Sequence, residues 1–220
     1  MPHSAADHAL IVIRAALNAV PVVGGSVASL IGDYVPLSTQ RSIGRASELI
    51  AQRLCTLEAR LAADLIDKDE FADLFKSCYI TIVRTTNETK LRAATSILVN
   101  LLLRPGDPEK LSYTELDHFT RCLEALSIGA ISILGTATEL VTRFRIEPDS
   151  EGSYRFTFEQ LHSKLRAIDA SLFMGLVGEL NTFNLIRISG FPPIRMPEYG
   201  NHQLELTSLG KRFVDRILAA

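Results

Sequence analysis

His118 and Cys122 stand four residues apart on an expected helix, which puts both side chains on one face, with Asp117 and Glu124 close by in sequence. Imidazole and thiolate are zinc ligands, but a zinc site needs three or four of them, and no second pair occurs elsewhere in the chain. His118 is therefore expected to be exposed and Cys122 to be a small core residue. Pro21-Val22-Val23-Gly24-Gly25-Ser26 lies at a helix start and could offer backbone N–H groups to an anion. It lacks both the G-K-[ST] ending of a phosphate loop and the spacing of a dinucleotide fingerprint, so Pro21, Gly24 and Gly25 are expected to form a tight turn between packed helices. Asp64, Asp67, Asp69, Glu70 and Asp73 gather where a helix begins and suit the positive end of its dipole. His3, His8, His162 and His202 have no Ser or Cys nucleophile at a spacing that would pair them. The expectation is a protein that is not an enzyme, with no catalytic residue, no metal and no cofactor.

These side chains sit on a chain of 220 residues that is 47% hydrophobic and 22% charged, enough for one good core or two small ones. A formal charge of −2 gives no general attraction to nucleic acid or an anionic bilayer, since both require surplus Lys and Arg. Three cysteines without C-x-x-C spacing suggest neither a disulfide framework nor a zinc knuckle, and fit a reducing cytoplasm. Residues 1–8 lack the basic start of a signal peptide.

The elements that must hold these residues are mostly helices. Ala9 to Pro36 contains two charges only, Arg14 and Asp33, and is expected to form an apolar helical hairpin over 5–36: one helix to Val20, a turn at Pro21 and Gly24-Gly25, and a second helix stopped by Pro36. Ser38 or Thr39 should cap a third helix whose stripe is Ile43, Ile50, Leu54, Leu57, Leu61 and Leu65. Asp67 to Glu70 has the form of a capping box and opens a fourth, with Thr85 to Asn87 interrupting before a fifth from Glu88 to Leu103. Pro105-Gly106-Asp107-Pro108 cannot continue a helix. Ser112 to Glu115 is another capping box, opening a helix expected to reach Leu134 or beyond.

From Pro148 to Ser153 the chain turns polar, and the order of elements beyond it has the form of a winged helix. Phe158–Ile168 and Ser171–Phe183 read as helices, the second with Leu172, Leu176, Val177 and Leu180 inward. Leu185–Ser189 and Gln203–Thr207 read as a β-hairpin whose Pro-rich loop would be the wing, and Ser208–Leu218 as a closing helix. Such units commonly bind DNA through the second helix, but Ser171 to Asn184 holds no Lys or Arg. From Thr157 to Ala220 there are seven basic residues against six acidic. Arg187, Arg195, Lys211 and Arg212 could gather near the wing as backbone contacts, yet a helix without basic residues points to dimerisation or protein docking.

The broken apolar N-terminal segment, the run Lys90-Leu91-Arg92-Ala93-Ala94 through Asn100, and Leu206-Thr207-Ser208-Leu209-Gly210-Lys211-Arg212-Phe213-Val214 resemble a group of uncharacterised bacterial proteins with a helical domain and a C-terminal winged helix. The layout is similar in outline to the abortive-infection alpha family. That resemblance implies a link to phage defence or stress, and carries over no catalytic residues.

The expected fold is mainly α: a helical bundle over 1–147 that begins with the 5–36 hairpin, then a winged-helix-like domain with one β-hairpin over 148–220. The expected function is a cytoplasmic interaction or regulatory protein, a homodimer with an unknown protein partner. Two alternatives use other chemistry. One is an effector peripheral to the inner membrane, inserting residues 9–36, although each arm falls short of the roughly 20 residues that span a bilayer. The other is a DNA-binding transcriptional regulator.

Overall fold

The computed structural model describes residues 35–62, 67–189 and 202–219. The expected hairpin over 5–36, its turn residues Pro21, Gly24 and Gly25, and Arg195 in the 190–201 connection lie outside the described residues, save Val35 and Pro36. The described chain is mainly helical with one small antiparallel sheet. It divides into two compact units, the first ending at Glu124 and the second spanning Ala125–Ala219. The division falls ahead of a long helix, rather than in the polar stretch 148–153 where the composition changes.

In the first unit, helix α1 spans Val35–Leu57 and includes Pro36; the helix that Pro36 is expected to stop lies outside the described residues. A proline in an opening turn forfeits no hydrogen bond, and the caps expected at Ser38 or Thr39 are therefore helical positions. Ile50 and Leu54 are buried as the stripe requires, together with Ala46 and Leu49, but the helix stops at Leu57 and a short 3-10 turn follows at Glu58–Arg60. Leu61 leaves the stripe and bridges to Leu103. Helix α2 (Lys68–Arg84) is capped by Asp67, whose carboxylate accepts from the N–H groups of Asp69 and Glu70. Asn87 then caps helix α3 (Glu88–Leu101) through the N–H of Lys90. Helices α1, α2 and α3 pack on one another, burying Leu74, Cys78, Ile82, Leu91, Ala94, Ile97 and Leu98. Helix α4 (Tyr113–Ala125) opens with the expected box: Ser112 Oγ accepts from Glu115 N, and Glu115 Oε2 from Ser112 N, both at 3.3 Å.

The single helix expected from Ser112 to Leu134 is two. α4 ends at Ala125, and α5 (Ile128–Phe144) begins after Ser127, whose hydroxyl accepts from Ala130 N at 3.1 Å. The serine competes for the backbone and wins because its own N–H is taken by the carboxylate of Glu179 at 2.9 Å.

The second unit continues with strand β1 (Tyr154–Thr157), helix α6 (Phe158–His162), helix α7 (Ala170–Thr182), strands β2 (Ile186–Ser189) and β3 (Gln203–Leu206), and helix α8 (Ser208–Phe213), which widens into a π turn over Val214–Leu218. The expected hairpin acquires a third strand. The sheet order is β1-β3-β2, antiparallel throughout, with Glu205 opposite both Arg155 and Arg187. The helix expected over Phe158–Ile168 stops at His162; turns follow, and the His162 Nε2 lies 2.9 Å from the Ile168 carbonyl across them. α5 packs on α6, α7 and β3, burying Ile131, Leu134, Phe158, Phe173, Val177, Leu204, Leu206 and Phe213.

Candidate interaction surface

Helix α7 is built on Asp169, whose carboxylate caps it through the N–H groups of Ser171 and Leu172. Phe173, Leu176, Val177 and Leu180 face inward. Leu172, expected on that side, is 59% exposed. The spacing 172, 176, 180 and the spacing 173, 177, 180 both satisfy a helical stripe, and the larger phenyl group takes the buried place, its edge 5.2 Å from the ring of Phe158. The outward residues of α7 are then Ser171, Leu172, Gly175, Asn181 and Thr182. None is charged. The helix's one acid, Glu179, is turned to the start of α5, where a carboxylate is favoured by the helix dipole. A side chain at Gly175 would meet nothing within 4 Å.

The basic residues expected near the wing behave differently from free phosphate clamps. Arg187 Nη2 donates to Ser153 Oγ at 2.8 Å and to Glu151 at 3.3 Å, and its Nε lies 3.7 Å from Glu205. Glu205 also accepts from Arg155 at 3.0 Å, giving an Arg–Glu–Arg row across the sheet that Asp149 extends through Arg155 at 3.1 Å. Lys211 is paired to Asp215 one turn along α8 at 2.5 Å. Arg212 is exposed. Arg187 and Lys211 are thus committed to carboxylates instead of joining a common basic patch.

One backbone N–H on each edge strand of the sheet is taken by a side chain. Asn181 Oδ1 accepts from Ile188 N of β2 at 3.3 Å, and Gln160 Oε1 from Thr157 N at the end of β1 at 2.7 Å.

Of the groups singled out for chemistry, His3, His8, Asp64 and the 21–26 segment lie outside the described residues. Cys122 is fully buried as expected, and burial pushes its thiol up to about 12. His118, expected exposed, is half-buried with its ring 6.0 Å from that of Phe119. Cys78 is buried, its sulfur 3.9 Å from the hydroxyl of Thr120, and desolvation raises it to about 12 too. Neither thiol supplies thiolate near neutrality. Cys55 is exposed. With a thiol reagent at pH 8 the native protein should react rapidly at Cys55 alone and at all three cysteines once unfolded; rapid labelling of Cys78 in native protein would contradict the described core. His162 stacks on Phe158 and meets Phe173 edge-on, at 4.9 and 5.0 Å. Among the described residues no group of three or more His, Cys, Asp and Glu could hold a metal ion, and no helix is long and apolar enough to cross a membrane.

The Pro-Gly loop after α3 is held by buried charge that the sequence did not announce. Arg60 forks onto Asp107 with bonds of 2.8 and 2.6 Å and reaches Glu109 at 2.9 Å. Asn100 accepts from Leu111 N and donates to the Glu109 carbonyl, while Lys110 Nζ covers the carbonyls of Leu101 and Leu103 at the end of α3. The Asp107 side chain is 1% exposed, and the Arg60 guanidinium holds its carboxyl down at about 2. Asn100 ends one of the motifs behind the family resemblance, and Thr207 and Gly210 belong to the other. In both motifs these residues fasten backbone.

Comparison with protein-family models, with curated proteins and with solved structures gives no match to this chain.

Proposed function

We propose that the chain is a non-enzymatic interaction and regulatory protein that works as a homodimer, and that its second unit is a winged-helix-like module docking through helix α7. The order β1-α6-α7-β2-β3 with sheet order β1-β3-β2 supports the winged-helix reading. The observation that carries the docking reading is the outward face of α7, uncharged along its length and headed by Leu172 at 59% exposure. A face that must meet phosphates carries Arg or Lys, whereas an uncharged face suits a copy of itself across a two-fold axis. The layout resemblance supplies the context, phage defence or stress.

Leu172→Asp tests this. The aspartate would stand in the first turn of α7, where the dipole favours an acid by a few tenths of a kcal/mol, so folding should be unharmed. Light scattering of the eluted protein should give a dimer for the parent and a monomer for the variant, at equal melting temperatures. A monomeric parent, or a dimeric variant, would refute the proposal.

A further inference from the structure

We draw no further inference here: the strongest candidate, the half-buried Arg53 guanidinium between helices α1 and α3, which donates to Ser96 Oγ at 2.7 Å and has no ion pair among the described residues, carries nothing because no second group in the structure converges with it to hold an anion.

Discussion

Gly210→Ala should destabilise the protein by about 3 kcal/mol or more, lowering the melting temperature by roughly 6–12 °C. A β-carbon built on Gly210 would lie 2.2 Å from the carbonyl oxygen of Leu185 and 2.9 and 3.1 Å from its carbonyl carbon and Cα. All three are backbone atoms at the start of β2, so no side chain can swing aside, and relief requires moving α8 off the sheet. That position is fixed from the other side. Thr207 Oγ1 accepts from Gly210 N at 2.9 Å, caps α8, and lies 2.7 Å from the Asn184 carbonyl and 3.1 Å from that of Leu185, to which it donates. Urea unfolding of the purified variant measures the loss. Gly44→Ala in α1 is the control, because the added methyl group meets nothing, the position is exposed and alanine is the better helix former by about 1 kcal/mol; it should hold or gain stability. A Gly210→Ala variant within about 1 kcal/mol of the parent would show that α8 does not approach β2 this closely.

Arg60→Ala should lower stability near neutral pH, because it leaves the Asp107 carboxylate, itself 1% exposed, without its main partner. The pH dependence gives the prediction its sign. Asp107 is held at about 2, below its unfolded value of about 3.9, so the pair contributes fully above about pH 4 and is lost as the pH falls through about 2. The difference in unfolding free energy between parent and Arg60→Ala should therefore be constant from about pH 7 to about 5 and shrink between about pH 4 and 2. A difference that is small at neutral pH, or that does not shrink in acid, would mean that the loop 104–111 is held by its backbone, Asn100 and Lys110 without the ion pair.

What the sequence announces is mainly local. Asp67, Asn87, Ser112 and Thr207 precede helices where their side chains accept from the backbone, and each of those helices starts where the spacing predicts. The loop of 105–108 follows α3 as read, although the helix ends at Leu101 rather than Leu103, which bridges to Leu61. Ser127 has no acidic residue three positions on, only Ala130, so its cap is invisible without the Glu179 carboxylate that lies 52 residues away in sequence. β1 is four residues, Tyr-Arg-Phe-Thr, too short for alternation to stand out, and it exists because β3 is there to pair with it. Leu172 and Phe173 compete for one buried place, and volume rather than period decides. Arg60 and Asp107, which hold the loop, are 47 residues apart, and Arg155 and Glu205, which cover the sheet, are 50 apart, separations that a pattern of spacing does not encode. The proposed docking face is thus legible in its lack of charge, and its exposed leucine only in the fold.

The central claim, that α7 meets the α7 of a second copy, is tested most directly by placing a thiol in the middle of its outward face. Gly175→Cys in a Cys55→Ser background leaves Cys78 and Cys122 buried and makes the introduced thiol the one accessible thiol among the described residues. If the two helices cross on a two-fold axis, mild oxidation at about 100 µM protein should convert most of the chain to a covalent dimer, reversed by reductant. The contradicting result is a variant that stays uncrosslinked while the parent sediments as a dimer, which would put the interface elsewhere, or a parent that sediments as a monomer at that concentration.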